Sequence, residues 1–183
     1  NRHVSVHNPT GRWLAQLTEP RLQSVYNSFV RSSPSCRALA PSSFAHEAAL
    51  LIKRCSPSAT KTAGGAVDMR NHWALIPEFL WAIRHSYKLE QEFFATPLNY
   101  DLELNTYHSA HTRDVLFGAT YVAYSAKFSG CIYMNPEYTP CKLNKLLSWA
   151  ISASLASSPF CAIAVFPKWK NEKYMSMLSH PNV

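Results

Sequence analysis

The stretch 130–166, GCIYMNPEYTPCKLNKLLSWAISASLASSPFCAIAVF, decides the fold. Its opening residues are small or apolar and stop at Asn135-Pro136, a turn-forming pair, so residues 130–134 read as a strand. From Pro140 the apolar residues Leu143, Leu146, Leu147, Ala150, Ile151 and Leu155 recur at intervals that place them on one side of a helix, and proline suits a helix's first position. Ser157-Ser158-Pro159 then turns the chain into the unbroken apolar run 160–166, the pattern of a strand buried on both faces. Strand, helix, strand in that order is a βαβ unit, with parallel strands and a right-handed crossover. The fold class is therefore α/β, and ligands of such sheets bind just past the carboxyl ends of the strands.

Working outward, residues 89–95 (LEQEFFA) form a further strand candidate that ends at Thr96-Pro97. All three strands thus end in a polar turn bearing proline: Thr96-Pro97-Leu98-Asn99, Asn135-Pro136-Glu137-Tyr138 and Pro167-Lys168-Trp169. Upstream the pattern changes to helical. Trp13, Leu14, Leu17, Leu22, Val25, Tyr26 and Phe29 have helix-like spacing interrupted at Pro20. Ser42-Ser43 opens a second helix over residues 44–53, and residues 55–66 are a loop by composition. Asp68 is placed to cap a third helix carrying Trp73, Ile76, Phe79, Leu80 and Ile83, bent at Pro77. The expected organisation is a helical amino-terminal region, 1–87, followed by an α/β core, 88–183.

Composition sets the outer bounds. The 183 residues are 47% hydrophobic and 13% aromatic, enough for a real core and incompatible with a disordered or collagen-like chain. Only 5 glycines are present and only Gly64-Gly65 lie close together, so phosphate loops of the G-x-G-x-x-G and G-x-x-x-x-G-K-[ST] types are excluded. A net charge of +7 suits a partner that carries phosphate. Cys36, Cys55, Cys131, Cys141 and Cys161 are odd in number and widely spaced, which indicates neither a disulfide framework nor a structural metal, and points to a reducing compartment. The longest apolar stretch, residues 150–165, is broken by serines and Pro159, so no membrane span is expected. The chain begins with Asn1 and has no signal-like start, which reads as an excised or processed piece.

The turn 135–138 carries the most chemistry. An exocyclic amine on a nucleobase is a poor nucleophile, because its lone pair is delocalised into the ring. Two acceptors aimed at its two N–H bonds restore density to nitrogen, and the Asn135 side-chain carbonyl with the Pro136 backbone carbonyl supplies such a pair. A flat ring, here Tyr138, can stack on the extracted base. As a bare tetrapeptide this is also an ordinary turn former.

Four ordered motifs place the turn in context: Phe93-Phe94-Ala95-Thr96-Pro97-Leu98-Asn99, Leu116-Phe117-Gly118, Tyr133-Met134-Asn135-Pro136-Glu137-Tyr138 and Ala164-Val165-Phe166-Pro167-Lys168-Trp169. Together, over residues 63–170, they resemble the phosphorylated-CTD-interacting-factor family of cap-specific adenosine N6-methyltransferases. The resemblance implies a Rossmann-like methyltransferase sheet with a helical amino-terminal extension, and S-adenosyl-L-methionine as cofactor. It implies a cofactor pocket from Ala95, Pro97 and Asn99, with Phe117 and Gly118 opposite, and a catalytic turn of Asn135, Pro136 and Tyr138. Trp169 would line the substrate side, no metal is required, and an intracellular location is expected, with the nucleus favoured over mitochondrion or cytoplasm. The substrate would be single-stranded RNA, at the cap-adjacent adenosine.

Glu137 departs from the pattern, since the family carries proline there. The Pro136 carbonyl survives, but a carboxylate now stands beside the base pocket, so a catalytically silent RNA-binding or scaffold subunit is the alternative reading. A DNA adenine methyltransferase is a third. The chain also stops soon after Trp169, where the family continues with further strands, so the expected sheet is either incomplete or finished by a partner protein. Lys168, Trp169, Lys170 and Lys173, with Tyr174, combine charge and stacking rings as single-stranded RNA grooves do. Ser24, Ser28, Ser32, Ser33 and Ser35 with Arg21, Arg31 and Arg37 read equally as a phosphate-tracking face or a solvated one. His108 and His111 read as surface residues rather than metal ligands.

Overall fold

Alternation and helical spacing compete in the first thirty residues, and pairing decides between them. In the computed structural model of the chain, which describes residues 2–7, 13–32, 40–55, 75–104, 106–120, 122–155, 160–170 and 172–183, β1 (His3–His7) pairs antiparallel with β2 (Trp13–Thr18). Residues 13–18 are therefore strand, not the start of a helix. Pro20 explains the boundary: it lies in the first turn of α1 (Glu19–Ser32), where its missing N–H breaks no helical bond. The Glu19 N–H donates to the Arg2 carbonyl at 3.0 Å, closing the hairpin against the helix start. The second helix, α2, spans Ala40–Cys55. The third, α3 (Pro77–Tyr87), begins at Pro77 instead of bending there. Asp68, Trp73, the Gly64-Gly65 pair and the loop from residue 56 onward lie outside the described residues, as do Ser33, Ser35, Arg37 and the turn 157–159.

The core sheet has the order β4-β3-β5-β6, with β3 (Gln91–Phe93), β4 (Thr106–His108), β5 (Gly130–Met134) and β6 (Phe160–Ala164) all parallel. The helix α4 (Pro140–Ser154) connects β5 to β6, so the expected βαβ unit is present. One short helix, α5 (Lys173–Met177), follows. The strand expected over 89–95 is shorter because Phe94 adopts φ +68°, which ends the ladder. The strand β4 was not legible, since Thr-Tyr-His is too short to show a period. The run 160–166 is not buried on both faces: β6 is half-buried, with Cys161 exposed, because among the described residues it is an edge strand.

Pairing in register puts Phe93, Met134, Ile132 and Ala162 on one face, where they pack with Leu146 and Trp149 of α4 and with Phe128. Tyr133 and Ile163 line the other face with Leu89, Leu104 and the α3 side chains Leu80 and Ile83. Val25 and Phe29 of α1 pack against Leu51 of α2 and against Phe117, which ends the 3₁₀ turn Thr112–Phe117. The chain leaves β3 on one side for β4 and returns on the other side for β5. That reversal makes the crevice between the carboxyl ends of β3 and β5 the topological switch point, where open α/β sheets bind ligands. Residues 94–99 and 135–138 leave from those two ends.

Candidate functional site at the switch point

The β3 end is shaped by Phe94. A bulky residue at positive φ is strained, and such outliers gather at functional sites. Its N–H donates to the His108 carbonyl at 2.7 Å, which ties the kink to β4. The following turn is closed by Asn99, whose Oδ1 accepts from the Thr96 N–H at 2.7 Å and from the Thr96 hydroxyl at 2.9 Å. Continuing the β3–β5 ladder, the Asn135 N–H donates to the Phe93 carbonyl at 3.3 Å. Strand pairing thus brings the two proline turns to the same edge of the sheet.

Asn135 is half-buried, and its Oδ1 accepts a hydrogen bond from the Tyr138 hydroxyl at 2.9 Å. This bond orients the Asn135 amide. Pro136 is buried. The Tyr138 ring is only 6% exposed and packs with Leu143, Leu147 and Tyr174, so in this geometry it orients Asn135 from within the core. Glu137 forms an ion pair with Lys142 of the first turn of α4. The Glu137 carboxylate is therefore locally neutralised.

The five cofactor candidates divide by exposure. Ala95, Pro97 and Phe117 are buried, Ala95 against Tyr107 and Ala119, whereas Asn99 and Gly118 are exposed. Tyr107 links Ala95 to Phe117 within the buried set, its hydroxyl donating to the Phe117 carbonyl at 2.9 Å. Gly118 has φ +94°, and a Cβ there would come within 3.1 Å of Ser28 on α1. It borders a cleft of about 670 Å³ lined also by Ser24, Asn27, Ser28 and Arg31, the hydroxyl-rich face of α1.

A charged network beside the crevice was not foreseen. Asp114, fully buried on the 3₁₀ turn, pairs with Arg54 at the end of α2 and accepts from the Ser109 hydroxyl at 2.5 Å. Burial pushes its carboxyl up, against the Ser109 hydrogen bond and the Arg54 charge. Arg54 Nε is buried with no acceptor among the described residues. Next to it, burial raises the Cys55 thiol, which is hydrogen-bonded to Thr96 of the β3 turn. His111 is lowered first by burial and then by Arg54 and Lys142, while Asp114 and Glu137 oppose the shift. No sequence signal marks this set, since its members come from α2, the β4 end and a 3₁₀ turn. His108, expected at the surface, is buried on Phe93 with ring centroids 4.3 Å apart, and its Nε2 lies 2.8 Å from Gln91 Oε1. Its place on β4, a strand the sequence hid, accounts for that correction.

Lys168, Lys170 and Lys173 are exposed around a half-buried Trp169. Tyr174 underneath is buried, its hydroxyl donating to the Pro167 carbonyl at 2.5 Å and its ring edge-on to Trp169 at 6.4 Å. Trp169 packs on the same cluster as Tyr138, so the basic patch and the Asn135 turn share one core.

A sequence model described as the phosphorylated CTD interacting factor 1 WW domain matches residues 21–182. The chain belongs to the phosphorylated CTD interacting factor 1 family. Among curated proteins none matches it. The family match runs from α1 to the residues after α5, so it takes in the four-stranded parallel sheet, the whole switch point and the two amino-terminal helices. Among the described residues no cluster of His, Cys, Asp or Glu is arranged to hold a metal, and no helix is long and apolar enough to cross a membrane.

Proposed function

We propose that this member of the phosphorylated CTD interacting factor 1 family is an S-adenosyl-L-methionine-dependent methyltransferase acting on N6 of adenosine in single-stranded RNA, at the cap-adjacent position. The observation that carries the reading is the Asn135-Pro136 turn standing at the switch point of a parallel sheet, with its amide oriented by Tyr138. On this reading the sheet is a Rossmann-like methyltransferase sheet, residues 88–183 are its core, and 1–87 are its extension. The nucleus is the compartment that suits the family.

The residues fit the cofactor. Arg54 Nε, a buried donor without an acceptor among the described residues, suits the amino-acid carboxylate. Asn99 offers polar contacts at the β3 end, and Gly118, whose missing Cβ lets Ser28 approach, borders the cleft along α1. The cofactor supplies a methyl group already activated on a sulfonium. The chain's part is to hold the base amine: Asn135 Oδ1 and the Pro136 carbonyl accept hydrogen bonds from its two N–H groups and localise the lone pair on nitrogen. Lys142 neutralises Glu137 and so limits repulsion of RNA phosphates. Lys168, Lys170 and Lys173 with Trp169 hold the strand that leaves the pocket. The family's description also names a phosphorylated CTD, and a phosphorylated protein partner suits the same excess of positive charge.

A second reading, a non-catalytic RNA-binding or scaffold subunit, is favoured by one observation: the Tyr138 ring is packed in the core and would have to be uncovered to stack on a base. The outer edge of β6 suits a partner's strand in either case. Calorimetry separates the two. The methyltransferase reading expects S-adenosyl-L-methionine to bind and Arg54→Ala to weaken it at least tenfold. Absence of binding at millimolar ligand, with RNA still retained, selects the scaffold.

A further inference from the structure

We propose that Cys131 and Cys161 form an oxidisable dithiol, a site of reversible disulfide formation that staples the edge strand β6 to β5. The two residues are direct partners in the parallel ladder, so their side chains leave the sheet on the same face. Neighbouring strands lie about 4.8 Å apart, inside the Cα range of roughly 4.4–6.8 Å that a disulfide spans. Both thiols are free, and the proximity of Cys161 helps to raise the Cys131 thiol. Access is asymmetric, since Cys161 is exposed on the edge strand and Cys131 half-buried beneath α3.

That asymmetry assigns the order of events, with hydrogen peroxide as oxidant. The exposed Cys161 thiolate attacks one peroxide oxygen and the O–O bond breaks, giving a sulfenic acid and hydroxide, which becomes water by taking up the proton that Cys161 released on ionising. Cys131 is the resolving thiol: burial pushes it up to about 11, helped by Cys161 and Glu90, so it is a poor first nucleophile at neutral pH. Its sulfur then attacks the sulfenyl sulfur, the S–S bond forms, and hydroxide leaves with the proton from Cys131. Two thiols and one peroxide yield one disulfide and two waters. The bond is reduced again by a dithiol, as expected of a transient disulfide in a reducing compartment. Of the other described cysteines, Cys55 is engaged with Thr96 and Cys141 lies in the first turn of α4, so neither faces this pair. The staple would fix β6, which leads into Lys168 and Trp169, against β5, which leads into Asn135.

The 183-residue chain carrying Cys141→Ser, so that the tryptic peptide 128–142 holds a single thiol, is treated with one equivalent of hydrogen peroxide and mapped without reduction. The expected result is a crosslink of peptide 128–142 to peptide 146–168, an intact mass lower by about 2 Da and restored by dithiothreitol, and a melting temperature raised by roughly 5–10 °C. Phenylarsine oxide, which requires two adjacent thiols, should add once to the reduced chain and not to Cys161→Ser, a readout independent of oxidation. Sulfinic acid at Cys161 without a crosslink, a crosslink to another cysteine, or no arsenical capture would overturn the proposal.

Discussion

Glu92, in the middle of β3, is 5% exposed, and its Oε2 accepts the Asp101 N–H at 2.7 Å. Burial is the main reason its carboxyl rises from 4.5 to about 7; the Asp101 charge adds to the shift, while the Asp101 hydrogen bond and Arg21 oppose it. The folded state therefore holds a proton that the unfolded chain has released between those two values. The contribution to stability is full below pH 4.5, is lost as pH rises through 7, and amounts to roughly 3 kcal/mol. Glu92→Gln should keep the hydrogen bond and remove the titration: its melting temperature relative to the parent should increase between pH 5 and pH 8. A difference that does not vary with pH would count against a buried, protonated Glu92. Gly118 is the second residue with a clear cost. At φ +94°, with Ser28 3.1 Å from where a Cβ would sit, Gly118→Ala should lose about 1–3 kcal/mol by denaturant unfolding. At this scale the sequence shows Asn135 and the chemistry it can do. It does not show that Tyr138 is covered, because that depends on Tyr174 of α5 packing beneath it.

Elements are joined most strongly where charge is buried. The Arg54–Asp114 pair ties α2 to the 3₁₀ turn, with Ser109 from the β4 end as third member. Removing one partner of such a pair leaves a buried charge, so Asp114→Ala should cost about 3–5 kcal/mol, seen as a lowered urea midpoint. Arg113→Ala, which breaks an exposed pair with Glu47 between the same elements, should cost under about 1 kcal/mol. Equal effects would mean that the buried network is not what holds α2. The βαβ unit was legible because α4 has three core leucines at helical spacing and β5 is bounded by Asn135-Pro136. Two elements were not: β2, whose apolar residues fit both periods until β1 pairs with it, and β4, whose three residues are specified by their neighbours on β3. The spacing marks α3 but not its start, since Pro77 is a first-turn residue and not a bend.

Over the whole molecule, the charge of +7 gains a location. Lys168, Lys170 and Lys173 surround Trp169 on the core that also holds Tyr138. If these lysines contact phosphate, replacing all three by alanine should flatten the salt dependence of single-stranded RNA binding by about 2 in log–log slope. An unchanged slope would move the RNA path elsewhere, the α1 face being the next candidate. The glycine poverty that excluded phosphate loops is compatible with a cofactor pocket made from proline-bearing strand ends, and such ends meet at the switch point. The central claim is that the Asn135 turn transfers a methyl group, and it is tested most directly by transfer from labelled S-adenosyl-L-methionine to adenosine-start RNA, capped and uncapped. The account predicts labelled N6-methyladenosine, with the rate reduced about 10²–10³-fold in Asn135→Ala while RNA binding is kept. No label on RNA that the parent chain demonstrably binds, or equal label with and without Asn135, would contradict it.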